Sequence, residues 1–239
     1  MKTNLILLVL LFCNNIVFSK NINPKMVVYC IPGQGADHRL FNNFDLGDEY
    51  KIRFIKYEIP EKGERMEHYA KRLAQQIDTT QSFILIGTSL GGMLATEMTE
   101  FLQPKQTIII SSAKSRQELP FRYRFQKAIP FYKMVSGKMM KSGAKFMQPL
   151  VEPDRDKEAD TFKNMLDAKD PKFMKRSVEM IINWERKTYD KNIIHIHGND
   201  DRTIPIRNVE YDYLIEGGSH MITLTRGWEL SNLIRDIME

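Results

Sequence analysis

The chain has 239 residues, of which 42% are hydrophobic and 27% are charged. This composition supplies enough apolar material for one sizeable core. No internal repeat, low-complexity tract or flexible Gly/Ser linker divides the chain, so a discrete second domain is not expected. Lys and Arg outnumber Asp and Glu by 35 to 30, which gives a net charge of +5. That excess favours anionic partners but indicates no fold.

The N-terminal segment is typical of a signal peptide. Lys2 precedes an apolar run at 5–12, and Ser19 supplies a small residue where a signal peptidase would cut. The apolar run is too short to span a bilayer, which makes a membrane-anchored form the less favoured alternative. We therefore predict a signal peptide over residues 1–19, a mature domain over 20–239, and export as a periplasmic or secreted protein.

Six apolar runs of strand length recur along the rest of the chain, and patterns typical of amphipathic helices lie between or after several of them. Most of the runs are β-branched and several lack polar alternation, which favours strands that are covered on both faces of a parallel sheet. Strand and helix in alternation predict right-handed crossovers within one sheet. The predicted strands are 26–31, 52–59, 83–87, 107–111, 193–198 and 211–215, and the predicted helices are 64–77, 92–102 and 228–238.

The long interval 112–191 breaks this rhythm. It is rich in Lys, Arg, Met and aromatic residues, with helix-like spacing and five interrupting prolines. We interpret it as a helical insertion that forms a cap over the sheet. Some of its aromatic side chains, such as Phe125 and Phe131, are expected to line a pocket between the insertion and the sheet and to select what binds in it.

The segment 114–145 of the insertion carries nine basic residues and one acidic residue. A basic amphipathic helix can bind an anionic membrane surface, and a lid of this kind can also cover acyl chains. The simpler alternative is a solvated helix pair whose apolar side packs on the sheet, and we prefer it for the charges. Nucleic acid is disfavoured as a partner because no recognised binding module accompanies the basic residues.

A G-x-S-x-G pattern centred on Ser89 joins the predicted strand 83–87 to the helical segment that follows it. A serine on a tight strand-to-helix turn needs neighbours without side chains, and Gly87 and Gly91 provide that clearance. The helix that follows directs its free N–H groups toward the site, where they can stabilise an oxyanion. The pattern alone could be a glycine-rich turn with an ordinary serine. Its position between strand and helix favours a nucleophile elbow.

Two late strands lead into loops that carry candidate partners for Ser89. The predicted strand 193–198 is followed by Asp200 and Asp201, and a glycine-rich loop after 211–215 ends at His220. Either aspartate could instead serve as a turn residue that satisfies its own backbone.

In these motifs the chain resembles the α/β-hydrolase superfamily, whose late strands often carry HGxxD and then a glycine-rich loop with His. The match covers nearly the whole mature chain. In HGxxD the acid is the fourth residue after His, which places it at Asp201, four residues after His197. The resemblance implies Ser89 as nucleophile, His220 as base and Asp201 as the acid that orients it, with Asp200 as the nearest rival. It also implies an α/β-hydrolase fold with helices on both faces of the sheet and the cap at about 112–191.

The loop after the first strand implies an oxyanion hole. In the superfamily the matching loop supplies one N–H donor, which by position is that of Gln34, and the residue after the nucleophile, Leu90, supplies the second. The His-Gly pair that is common in this loop is replaced here by Pro32-Gly33.

Four other histidines are weaker candidates for catalysis. His195 and His197 share one face of a predicted strand and could suggest a metal pair, but without a convergent third ligand a structural role is favoured. His38 lies after the first strand, in the wrong chain order for a base, and His68 falls on a predicted helix.

The resemblance implies a serine hydrolase of the esterase or lipase type, which cleaves a carboxylic ester or a related acyl bond through an acyl-enzyme. The expected partner is a small-molecule acyl substrate, and the chemistry requires no metal or organic cofactor. The same triad also serves thioesterases, amidases and hydrolases of carbon–carbon bonds. A binding protein that keeps the pocket without catalysis is an alternative of a different class.

Overall fold

The computed structural model describes residues 25–151 and 158–239. Residues 1–24, which include the predicted signal peptide, and residues 152–157 lie outside the described part. The strands of the described residues are β1 (Met26–Ile31), β2 (Tyr50–Phe54), β3 (Phe83–Thr88), β4 (Gln106–Ile110), β5 (Ile194–Gly198) and β6 (Tyr213–Ile215). They form one six-stranded sheet in the order β2-β1-β3-β4-β5-β6, with every neighbouring pair parallel. The predicted mostly parallel sheet of about six strands is confirmed.

The sheet has a hydrophobic core on each face. In β1, Val27 and Tyr29 point into one core, and Val28 and Cys30 point into the other. This division follows from the alternation of side chains along a strand. The unbroken apolar runs of β1, β3 and β4 are therefore explained by burial on both faces.

Helices cover both faces, as predicted. In the described residues the α-helices are α1 (Met66–Ala74), α2 (Leu90–Met98), α3 (Phe121–Ala128), α4 (Gly137–Val151), α5 (Ala159–Ala168), α6 (Pro171–Ile182), α7 (Ile222–Thr225) and α8 (Gly227–Met238). Helices α1, α2 and α6 contribute to the core that contains Tyr29, and α5 and α8 contribute to the opposite core. Within residues 25–151 and 158–239, no helix combines the length and the apolar content that crossing a bilayer requires.

Several predicted boundaries differ from the observed ones for identifiable reasons. The predicted strand 52–59 ends at Phe54, because its partner β1 ends at Ile31. The predicted strand 211–215 begins at Tyr213, because β6 pairs with only three residues of β5. The helix predicted to begin at residue 92 begins at Leu90, since the Met93 N–H already donates to the Ser89 carbonyl at 3.2 Å.

The interval between β4 and β5 contains only helical elements among its described residues. It is anchored to the sheet by α6, whose Phe173 and Met180 enter the core with α1 and α2. A buried carboxylate gives a second anchor, because Glu97 of α2 accepts hydrogen bonds from Trp184 Nε1 and Arg186 Nε, both at 2.7 Å. These partners offset the cost of burying the Glu97 charge.

Candidate active site

Ser89 occupies a sharp turn between β3 and α2. Its backbone has φ 54° and ψ −119°, a combination that favours glycine. At this turn the backbone also passes unusually close to neighbouring segments of the chain. A Cβ at Gly87 would lie 2.4 Å from the Gly91 carbonyl oxygen, and a Cβ at Gly91 would lie 2.1 Å from that of Ile31. Both glycines of the G-x-S-x-G pattern are therefore required by close approach, and Ser89 is the strained residue between them.

The structure brings Ser89, His220 and Asp201 into one hydrogen-bonded chain. His220 Nε2 lies 2.9 Å from Ser89 Oγ, and His220 Nδ1 lies 2.8 Å from Asp201 Oδ2. His220 ends the loop after β6, and Asp201 lies in the loop after β5. Because the carboxyl ends of parallel strands meet at one edge of the sheet, loops from three different strands converge here. Asp201 and His220 are both buried, with 3% and 7% of their surface exposed.

The two neighbouring aspartates have different surroundings. Asp201 Oδ1 accepts hydrogen bonds from the Thr203 and Ile204 N–H groups at 2.8 and 2.7 Å, which leaves Oδ2 directed at His220. The Asp200 side chain contacts the exposed Arg202 instead. The geometry therefore places Asp201, and not Asp200, beside the histidine.

The loop after β1 lies against the elbow. A Cβ at Gly33 would lie 3.4 Å from Ser89 Cβ, and Gln34 lines the same cavity as Ser89. Among the described residues, the N–H groups of Gln34 and Leu90 donate to no other protein atom. Both amides thus lack a protein acceptor within the described residues, as the donors of an oxyanion hole must.

Gln34 is held in place by residues of the cap. Its side-chain Nε2 donates to Ser177 Oγ at 2.8 Å, and its carbonyl oxygen accepts from Lys169 Nζ at 2.8 Å. Tyr57 also holds the loop, because its hydroxyl donates to the Pro32 carbonyl at 2.5 Å. The candidate oxyanion loop is therefore fixed from three directions.

A mainly apolar cavity of about 180 Å³ opens beside Ser89 and His220. Its floor comes from the sheet loops, and its roof comes from the cap. The cap residues that line it are Tyr123, Ala144, Phe162, Met165, Leu166, Lys169 and Ile181.

The expectation that Phe125 and Phe131 line the cavity is wrong. Phe125 is 39% exposed and stacks on Phe121 with ring centroids 5.4 Å apart, and Phe131 is 57% exposed. Phe121 and Phe125 share the outward face of α3, because residues four apart lie on one side of a helix. Tyr123 lies between them in sequence and faces inward, to the cavity.

A buried histidine pair adjoins Asp201, a contact that the sequence analysis did not predict. His197 Nε2 lies 3.4 Å from Asp201 Oδ2 and 2.8 Å from the Ile204 carbonyl. His197 Nδ1 lies 3.1 Å from His195 Nε2, and His195 Nδ1 lies 2.9 Å from the Glu210 carbonyl. Burial lowers the pKa of both imidazoles below the usual value. The spacing of His197 four residues before Asp201 was the available signal in the sequence, since His197 lies near the end of β5 and Asp201 lies in the short loop that follows.

The two remaining histidines are exposed. His38 lies beside Asp37 and lines a second cavity, and His68 Nδ1 lies 2.7 Å from Glu64 Oε1. Neither has a hydrogen bond to Ser89 or Asp201 among the described residues.

Comparisons with known proteins extend these observations. Residues 46–120, less than half of the chain, match the profile of an uncharacterised protein family, UPF0227. That region includes Ser89 but neither Asp201 nor His220. A search of curated protein sequences gave no significant match.

Several solved structures resemble the chain over most of its length. A thermophilic esterase from Thermogutta terrifontis is 16% identical, with a TM-score of 0.71 and coverage of 89% of both chains. An enol-lactonase from Burkholderia xenovorans is 11% identical, with a TM-score of 0.70 and coverage of 92% of this chain and 93% of the other. A hydrolase from Pseudomonas aeruginosa is 11% identical, with a TM-score of 0.69 and coverage of 90% of both chains. Together with the parallel sheet and the elbow at Ser89, these similarities show that this chain has the α/β-hydrolase fold.

Proposed function

We propose that the protein is a serine hydrolase that cleaves a carboxylic ester or a related acyl bond. One observation carries this proposal: Ser89 Oγ, both nitrogens of His220 and a carboxylate oxygen of Asp201 form a continuous chain, with 2.9 and 2.8 Å between successive groups. Nucleophile, base and orienting acid in this order are the arrangement that acyl transfer requires.

In the proposed reaction His220 Nε2 takes the proton of the Ser89 hydroxyl as the oxygen attacks the substrate carbonyl. The oxyanion that forms accepts hydrogen bonds from the N–H groups of Gln34 and Leu90. His220 then gives the proton to the leaving group, and the acyl group remains on Ser89. A water molecule, deprotonated by His220, releases the acid and restores the serine.

Asp201 acts through His220. Its Oδ2 accepts a hydrogen bond from the Nδ1–H group, which keeps Nε2 free to act as the base and stabilises the imidazolium that forms. The two backbone N–H groups on Oδ1 prevent the carboxylate from turning away. Because its carboxylate is fixed in this way, Asp201 in the loop after β5 can hold the imidazole ring of His220 in the loop after β6.

The comparisons support the proposal at the level of the fold. Two proteins of similar structure are described as an esterase and an enol-lactonase. The identities of 16% and 11% establish a shared fold only, so the proposed chemistry rests on the hydrogen-bonded chain in this protein.

Labelling with a fluorophosphonate probe tests the nucleophile, and a panel of p-nitrophenyl esters, acyl-CoA thioesters and anilides tests the bond type. We expect the wild type to be labelled and to hydrolyse the oxygen esters fastest. Ser89→Ala should lose labelling and lower turnover by about 10⁴-fold or more while the circular dichroism spectrum is unchanged. Ser115→Ala, which changes a buried serine outside the cavity lining, is the matched control.

Two results would overturn the proposal. Labelling and turnover that survive in Ser89→Ala would reject this nucleophile. A wild type that neither labels nor hydrolyses any member of the panel would favour the non-catalytic binding protein.

A further inference from the structure

Lys169 places a positive charge in the wall of the cavity beside Ser89. The residue follows α5 directly, and its Nζ donates to the Gln34 carbonyl at 2.8 Å. It is the one Lys, Arg, Asp or Glu among the described residues that line this cavity. It also lines the second, more open cavity of about 750 Å³, so it stands where the two meet.

The Lys169 ammonium has no ionic partner among the described residues, because no carboxylate oxygen lies within 4.0 Å of Nζ. Asp37, an acid whose charge raises the pKa of Lys169, is already paired with Arg39, whose Nη2 lies 2.5 Å from Asp37 Oδ2. An ammonium group has three N–H donors, and the Gln34 carbonyl occupies one of them.

The surroundings of Lys169 are unfavourable for an unpaired charge. Phe162, Met165 and Leu166 of α5 line the same cavity and offer no acceptor to the ammonium. Burial lowers the pKa of Lys169 to about 8, so the group is still mostly protonated at neutral pH. A partly buried cation in an apolar wall is stabilised when an anion enters the cavity beside it.

We propose that Lys169 is a specificity-determining residue that binds a carboxylate on the acyl part of the substrate. This inference rests on the proposed function for the identity of the acyl group. Gln34 connects Lys169 to the proposed reaction, because its N–H is the proposed oxyanion donor and its backbone carbonyl accepts from Lys169. An acyl chain that enters the apolar cavity passes the ammonium, and a carboxylate a few bonds beyond the scissile carbonyl pairs with it. The preferred substrate is then a half-ester of a dicarboxylic acid or a closely related anionic acyl compound.

Binding can be measured without turnover. The ligands are monomethyl adipate, which is an anion at pH 7, and dimethyl adipate, its neutral counterpart, and the readout is the shift in melting temperature of the Ser89→Ala protein. We expect the anion to bind more tightly by about tenfold or more, the factor typical of one charged hydrogen bond. Lys169→Met should abolish the difference and Lys169→Arg should keep most of it. Lys163→Met, which removes an exposed charge from the adjoining helix α5, should keep it fully.

Turnover gives a second readout in the wild type. The ratio of kcat/KM for mono-p-nitrophenyl adipate to that for its methyl ester should exceed about ten, again the factor for one charged hydrogen bond. The ratio should fall as the pH rises through about 8, where Lys169 loses its charge. A Lys169 that only holds the Gln34 loop would, when mutated, slow both substrates equally and leave the ratio unchanged.

Equal binding of the two ligands, or a preference that survives in Lys169→Met, would overturn the proposal. Anion binding in the Ser89→Ala protein without ester hydrolysis by the wild type would uphold the Lys169 site and reject the proposed reaction, so the two failures are distinguishable.

Discussion

Asp201 and Asp200 are adjacent in sequence, and their different roles can be tested by substitution with Asn, which replaces one carboxylate oxygen with an NH2 group. Asp201→Asn replaces the acceptor of the His220 Nδ1 proton with a group that can present a donor instead, which favours the wrong tautomer. We expect kcat to fall by about 10⁴-fold, as for other triads that lose this carboxylate. Asp200→Asn should change kcat by less than about threefold, since it alters an exposed contact with Arg202. A larger loss in Asp200→Asn would move the orienting role to that residue.

His195 and His197 should make the fold sensitive to acid. Both rings are buried, and burial is the largest cause that lowers their pKa values below 6.5. Neighbouring charges also shift these pKa values. Asp201 raises the pKa of His197, and His220 lowers it. Lys114 lowers the pKa of His195. The unfolded chain therefore takes up protons near pH 6.5 that the folded chain does not. The free energy of unfolding consequently falls as the pH drops below that value.

Urea unfolding between pH 7.5 and 5.5 measures this effect. Each ring contributes a slope of up to about 1.4 kcal/mol per pH unit where only the unfolded state is protonated. His195→Gln should have a shallower slope than the wild type, and His68→Gln, at an exposed site, should not. Equal slopes in all three proteins would show that other groups cause the acid sensitivity.

At the scale of elements, the cap should select the substrate mainly through the cavity-lining residues of α5 and not through its exposed aromatic side chains. Phe162 and Met165 of α5 line the cavity, whereas Phe125 of α3 and Phe131 are exposed. Each methylene of an acyl chain that leaves water for an apolar cavity gains about 0.8 kcal/mol. A change in the volume that α5 leaves free therefore changes which chain length binds best.

Phe162→Ala and Met165→Ala should move the optimum of kcat/KM toward longer acyl chains in a series of p-nitrophenyl esters. Phe125→Ala and Phe131→Ala, the matched controls, should leave the optimum where it is. Labelling of Ser89 by a small probe should be similar in all four. An optimum that follows the exposed aromatics instead would show that α3 closes over the substrate in solution.

The sequence predicted elements well where local pattern and burial agree. The apolar runs identified β1, β3 and β4 nearly to the residue, because both faces of these strands are buried, and β5, in which Ile and His alternate, was located equally well. The prediction was poorer for β2 and β6 at the edges of the sheet, where the partner strand determines the length. On α3 the aromatic content of the sequence did not show which face was inward.

The candidate site was predictable to the extent that it follows local motifs. The turn at Ser89, the HGxxD spacing of Asp201 and the glycine-rich loop before His220 are local, and the structure brings these residues together. The contacts of His197 with His195 and Asp201 are also local in sequence, whereas the contact of Lys169 with Gln34 depends on tertiary packing. Lys169 in particular is 135 residues from Gln34 in sequence, and no periodicity of either segment predicts their contact.

At the scale of the whole molecule, many basic side chains of the segment 114–145 form hydrogen bonds or ion pairs with other parts of the protein. Arg116 Nη1 donates to the Ile182 and Trp184 carbonyls at 2.8 Å, and Lys141 Nζ donates to the Asp167 carbonyl at 2.9 Å. Lys127 and Lys145 form ion pairs with Glu185 and Asp167. The contacts of Arg116 and Lys127 join the two ends of the insertion, and those of Lys141 and Lys145 join α4 to α5. They accord with the interpretation of the segment as a packed and solvated helical cap.

Ser89 makes the folded protein less stable than it would be with glycine at the same position. A residue with a Cβ at φ 54° and ψ −119° costs about 1–3 kcal/mol, whereas glycine adopts these angles freely. Ser89→Ala and Ser89→Gly both lose the hydroxyl contact with His220, so their difference isolates the backbone cost. After the greater freedom of glycine in the unfolded chain is subtracted, Ser89→Gly should be the more stable by about 1 kcal/mol. For a chain of this size that is about 2–4 °C in melting temperature. Stability and activity thus favour different residues at position 89, because glycine relieves the backbone strain but lacks the hydroxyl that the reaction needs.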